Sequence, residues 1–287
     1  MRTERIGFFN KDFFWGILII SLVFFTVALV PFVGAVAIVL IPLPVVFFLE
    51  RLGRLRGLAV LALSLLIVQS TLRLIATDID TSLFLLLAYL GIVISEVLKK
   101  GFSIEKTVLI AVIAGAGMAF LLLLLQSGAS REMPWSLVYA YITRSFQESI
   151  ELSTQMGAQA EQIKFIKDNI GVITRFLLYL MPALSIVGLA FVSLLNILFA
   201  RRIPLASGGI SHDFGDLTRW KAPEGIVWIL IVSGAAVLIP PLLGWKIAGL
   251  LIAGLNILLI CLFIYFLQGL AVIEYYFGSR SVPRLFR

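Results

Sequence analysis

Residues 13–56 read FFWGILIISLVFFTVALVPFVGAVAIVLIPLPVVFFLERLGRLR, and no charge appears in them before Glu50. At 1.5 Å per residue, that uncharged run is too long to cross a hydrocarbon core of roughly 30 Å only once. Pro31 falls near its middle, and Pro42 and Pro44 interrupt its second half. Proline has no amide hydrogen, so each of the three weakens a continuous helix. Two readings follow: a tight hairpin at Pro31, with spans at 13–30 and 32–49, or one kinked helix. The hairpin is preferred. Arg51, Arg54 and Arg56 then close the run with positive charge on one side of a membrane.

The rest of the chain repeats this pattern. Of its 287 residues, 61% are hydrophobic and only 14% charged, and the mean hydropathy is +1.07. Soluble domains carry about a quarter of their residues as charges. A chain this apolar needs lipid around it. Further apolar runs occupy 56–76, 82–98, 104–125, 173–199, 224–243 and 248–277, which makes eight spans. The expected fold is therefore all-α: a polytopic transmembrane helical bundle forming one integral membrane domain over 1–287. An N-terminal signal peptide is a poor reading, although Ala35-Val36-Ala37 resembles a cleavage site. The apolar run before it exceeds the usual 7–15 residues, and another apolar run follows.

Positive charge orients the spans. Basic residues at 2–11, 51–56, 99–106, 201–221 and 280–287 all fall on one side of the eight-span arrangement. The positive-inside rule makes that side cytoplasmic, with both termini there and the acidic turn at 78–80 outside. The expected location is the bacterial inner membrane, crossed many times. The net charge of +7 thus reads as orientation and as affinity for anionic lipid. Nucleic acid is not an expected partner. The single Cys261 excludes an internal disulfide and a CxxC site, and a lone His212 is a poor metal ligand set.

Residues 127–171 read as an external helical insertion between spans five and six. After Pro134, a residue suited to a first helical turn, Trp135, Val138, Tyr139, Ile142, Phe146 and Ile150 form an apolar stripe. Arg144 and Glu148 fall opposite, spaced for an ion pair. Met156, Ile163, Ile166 and Ile170 form a second stripe. The expectation is an amphipathic helical pair, serving as a cap on the bundle, a lid or a docking surface.

Ionisable and polar groups at membrane depth are costly and become candidates for function. Gln69 and Arg73 lie one turn apart near the outer end of the third span. Gln126 ends the fifth span on that side, and Arg175 begins the sixth there. Together they are the candidate ligand-binding set, lining an outward pocket for a polar or anionic small molecule. The competing reading is that both arginines snorkel to headgroups. Asn196 and Asn256 sit in matching contexts, Leu195-Asn196-Ile197-Leu198 and Leu255-Asn256-Ile257-Leu258, and read as hydrogen-bonding glue between helices. The chain has no HExxH, no GxSxG elbow and no Walker-type loop, and Ser207-Gly208-Gly209 lacks the Lys-Ser/Thr that would complete one. No catalytic set, cofactor or metal is expected. Energy for any transport would come from an ion gradient or another subunit.

Several landmarks together carry a resemblance: Met181-Pro182-Ala183, Asn196, then Phe214, Trp220 and Pro223, Trp228, Asn256 and Gln268-Gly269-Leu270-Ala271-Val272. In these the chain resembles the YybS-like family of uncharacterised bacterial polytopic membrane proteins. That family is similar in layout to the S components of energy-coupling-factor transporters, which bind a vitamin near the outer face and dock on another transmembrane subunit. The resemblance implies a small-molecule-binding or transport component, with a second membrane subunit as candidate partner beside the lipid bilayer. Eight spans, the inserted external pair and the lack of an alanine-spaced docking motif in the first helix depart from that layout. The rival class is an envelope scaffold or assembly protein that holds partners with the external helices. Phe214, Trp220 and Trp228 suit an interfacial anchor, and Pro223 suits the first turn of the seventh span.

Overall fold

The Asn10 side chain accepts a hydrogen bond from the Phe13 amide at 2.9 Å, and Asp12 puts negative charge in the first turn of the helix that follows. Both features satisfy the positive, unpaired end of a helix. The computed structural model describes residues 10–75, 81–157, 160–202, 217–244 and 247–279. Arg2, Arg5, the acidic turn at 78–80, Ser207, His212, Phe214, Lys246 and the basic residues at 280–287 lie outside the described residues.

The described elements are helical throughout: α1 Lys11–Leu29, α2 Pro31–Ala37, α3 Pro42–Leu52, α4 Arg54–Leu74, α5 Ser82–Leu98, α6 Ile104–Ser130, α7 Pro134–Gln155, α8 Ala160–Arg202, α9 Ile226–Leu242 and α10 Ala248–Ser279. Five of them, α1, α4, α6, α8 and α10, are long and apolar enough to cross a membrane, and α5 and α9 are shorter apolar helices. The all-helical, polytopic reading therefore holds for the described residues.

By internal contact the chain divides into two compact units, Met1–Phe120 with Gly188–Phe214, and Leu121–Val187 with Gly215–Arg287. In the first unit the chain reverses at Val30 and Pro31, where Val30 is extended and Pro31 opens α2. A Cβ on Gly34 would lie 2.6 Å from the Val27 carbonyl oxygen, so α2 folds back closely on the end of α1. This is the hairpin. The expected second span, 32–49, is not one helix: α2 gives way to a short 3-10 turn at Ile38–Leu40, and α3 starts afresh at Pro42. The reason is local, because Pro42 and Pro44 can donate no hydrogen bond to the carbonyls four residues earlier.

α3 then packs on α4 and α5, and α1 on α4. Gly91 forms a tight seam with α3, since a Cβ there would meet Val45 Cβ at 2.8 Å and the Pro42 oxygen at 3.0 Å. Phe13, Ile20, Phe24, Val45, Leu49 and Leu90 fill the core, and the Phe24 and Phe84 rings meet at 5.3 Å. Leu18, Leu22 and Leu66 point outward and are well exposed. Large apolar side chains over so much outer surface suit lipid, not water.

In the second unit, α9 and α10 pair, and Gly254 sits against Ser233, Ala236 and Val237. The Ala222 amide donates to Gln268 Oε1 at 3.4 Å, tying the segment before α9 to α10. α9 begins at Ile226, later than expected from the sequence, and Pro223 precedes it, accepting the Ile226 amide at 3.0 Å. Trp228 is exposed and Trp220 half-buried.

The helices expected outside the bilayer appear as α7 and the first part of α8. Pro134 occupies the first turn of α7, Ile142 and Ile150 are buried, and the Arg144–Glu148 pair forms at 2.8 Å. Two residues depart from the expected stripes. Trp135 is 59% exposed and Met156 76%, the latter because it caps the end of α7. No break separates the second stripe from the sixth span: α8 is one helix of 43 residues, beginning at Ala160 instead of near 173. α6 likewise runs on to Ser130.

Candidate functional site

Pro182 lies inside α8 and cannot supply its rung of the helix ladder. Beside it, the Asn256 side chain from α10 does two things. Its Oδ1 accepts the Ala183 amide at 2.9 Å, and its Nδ2 donates to the Tyr179 carbonyl at 2.8 Å. Residues 179 and 183 are the pair that an uninterrupted α-helix joins directly. A side-chain amide thus bridges the rung next to the proline, and Asn256 also donates to the Ile252 carbonyl of its own helix at 2.9 Å. Every polar end of this amide is used.

The first unit contains a counterpart. Asn196 is fully buried, and its Nδ2 donates to the Val39 carbonyl at 2.8 Å and to the Val192 carbonyl at 2.7 Å. Val39 belongs to the 3-10 turn that precedes Pro42. Each Leu-Asn-Ile-Leu segment therefore lays its amide against a proline-interrupted helix, and each also bonds the carbonyl four residues back. The glue role read from sequence is what the geometry gives. Hydrogen bonds of this kind contribute about 0.6–2 kcal/mol within membrane bundles. The two sites differ in one respect: Asn196 Oδ1 accepts no hydrogen bond among the described residues. One turn earlier on α8, Ser193 is also fully buried, and its Oγ likewise has no described partner.

The four residues expected to line a pocket are placed as follows. Gln69 is half-buried and Arg73 exposed, one turn apart on α4 in the first unit. Gln126, exposed, and Arg175, exposed, belong to α6 and α8 in the second. Arg175 Nε donates to the Gly171 carbonyl of its own helix at 3.1 Å. Gln69 and Arg73 thus share a helix face, and Gln126 and Arg175 share a unit. Nearby, the Thr143 hydroxyl donates to Thr174 Oγ1 at 3.5 Å, holding α7 against α8. Sequence reasoning missed Ser193 and Val39, whose relevance depends on which helix Asn196 meets. The repeated Leu-Asn-Ile-Leu context was the available signal.

Charge gathers at one end of the first unit. Arg51 pairs with Asp12 at 2.8 Å and stacks over Phe47, and Glu96 takes Lys99 at 3.1 Å with Arg54 at 4.0 Å. These ion pairs belong to the basic flanks that close α3 and α5, the segments that the positive-inside rule expects at a membrane surface. Among the described residues no group of three or more His, Cys, Asp or Glu could hold a metal ion.

Residues 18–287 match the model of a family described as "Predicted membrane protein (DUF2232)". The chain belongs to the DUF2232 family. The match covers nearly every helix described above, and with the apolar spans it makes the chain a multi-pass membrane protein in contact with lipid. No curated protein matches this DUF2232 chain, and no solved structure does.

Proposed function

We propose that this DUF2232 protein is a non-enzymatic, small-molecule-binding or transport component of the bacterial inner membrane, with its termini in the cytoplasm and a YybS-like, S-component-like layout. The observation that carries the reading is the use of costly polar groups inside apolar helices: Asn196 and Asn256 each hold a proline-interrupted helix. Transporters build their sites around interrupted helices. Gln69 and Arg73 in the first unit, and Gln126 and Arg175 in the second, are polar and cationic side chains of the kind a polar or anionic ligand needs. A second membrane subunit is the partner that would supply energy.

Mass spectrometry of small molecules retained after mild detergent extraction tests this reading. A polar or anionic compound should accompany the wild-type chain and be lost from Arg73→Ala and Arg175→Ala. Retention of the same lipids and nothing else by all three would refute it.

One observation favours a second reading, that of an envelope scaffold. Met133, Trp135, Met156 and Phe165, on and beside α7 and the start of α8, are exposed apolar side chains in the segment expected outside the bilayer. Trp135→Ser with Phe165→Ser would then abolish cross-linking to envelope partners while the bundle stays inserted.

A further inference from the structure

The twin amides supply an internal comparison. Asn256 fills its Oδ1 with the Ala183 amide, so its site is complete within the protein. Asn196 makes the equivalent two Nδ2 bonds, yet its Oδ1 faces no described donor. The amide is anchored on Val39, so this oxygen is held beside the break between α2 and α3. Leu40, the next residue, ends the 3-10 turn, and residue 44, its partner in a continuous α-helix, is a proline with no amide hydrogen. Ser193 adds a buried hydroxyl oxygen, also without a described partner, on the same face of α8.

The candidate ligands are all neutral oxygens. The amide and backbone carbonyls only accept hydrogen bonds, and the hydroxyl has lone pairs to offer. Such a set repels an anion and suits a hard cation. It includes no carboxylate, so a divalent charge would go uncompensated in an apolar surrounding. Freed carbonyls at the end of an interrupted helix, with side-chain oxygens from a neighbouring helix, are the means by which transporters hold a coupling monovalent ion.

We propose that Asn196 Oδ1, Ser193 Oγ and the Leu40 carbonyl form a binding site for a small monovalent cation, with sodium as the probe. The site goes beyond the outward pocket and does not rest on it. If the chain transports, an ion held here would link a gradient to the break between α2 and α3.

The test uses the full chain in detergent. Its melting temperature is followed through a sodium chloride series held at constant ionic strength with choline chloride, and again with potassium. Sodium should raise the melting temperature, because a ligand that binds only the folded state stabilises it. Ser193→Ala leaves the Asn196–Val39 bond in place, so its stability in choline alone should hold. Its response to sodium should require at least about tenfold more salt, because loss of even an outer partner of a metal ligand costs that much and here a ligand oxygen itself is removed. An equal response to potassium, lost in the same variant, also supports the site. No cation-specific shift, or an unchanged shift in Ser193→Ala, overturns it and leaves Asn196 Oδ1 as an acceptor for water.

Discussion

Asn256 Oδ1 accepts the amide of Ala183 at 2.9 Å, one residue beyond the proline that interrupts α8. The bond joins α10 to α8 at the point where α8 is weakest. Asn256→Ala should therefore destabilise the protein by about 1 kcal/mol, in the range of side-chain hydrogen bonds within membrane bundles. Pro182→Ala restores the missing amide and lets the helix close its own ladder, so Asn256→Ala should cost less in that background. Reversible unfolding in mixed detergent, arranged as a double-mutant cycle, measures the difference. Equal costs in both backgrounds would show that the amide does not serve the proline break.

The Gly91 seam gives a steric prediction. A methyl group there would stand 2.8 Å from Val45 Cβ and 3.0 Å from the Pro42 oxygen, and backbone cannot move aside cheaply. Gly91→Ala should destabilise by about 1–3 kcal/mol. Gly117, with nothing within 4 Å of its added Cβ, is the matched control, and Gly117→Ala should stay within about 0.5 kcal/mol of wild type. Melting temperatures of the two variants in one detergent decide the matter.

The Asp12–Arg51 pair lies at the partly exposed end of α1 and α3. Solvent screens it, so its coupling in a double-mutant cycle should be no more than about 1 kcal/mol and should fall as salt rises. A larger, salt-independent coupling would mean that the pair is drier than its exposure indicates.

The spans were legible because a helix that crosses lipid must be apolar over its whole length, and that leaves a mark in one dimension. Ser82–Leu98 forms a helix with the bounds read from the sequence, and the Arg144–Glu148 pair follows from a spacing of four. Boundaries were less legible where one period continues through a change of solvent. The stripe Ile163, Ile166, Ile170 and the apolar run after 173 share helical spacing, so nothing at the junction marks a break, and α8 runs through it as one helix. The prolines at 42 and 44 showed that the second span is weak, but not that Asn196, distant in sequence, lies against the break. Partners of buried amides depend on which helices meet, and residue spacing along one helix does not encode that. For the same reason Gln69, Arg73, Gln126 and Arg175 could be recognised singly as polar residues near the ends of apolar runs, whereas any convergence among them would be a property of packing.

Cysteine labelling in intact cells tests the membrane arrangement most directly. Cys261 is the only cysteine in the chain and is buried, so a Cys261→Ser background gives a clean start. Ser149→Cys on α7 and Lys221→Cys before α9 each occupy an exposed position. A membrane-impermeant maleimide should label Ser149→Cys in intact cells and Lys221→Cys only after permeabilisation, with both chains staying in the alkali-washed membrane pellet. Equal labelling of the two in intact cells, or recovery of the chain in the detergent-free supernatant, would contradict the account.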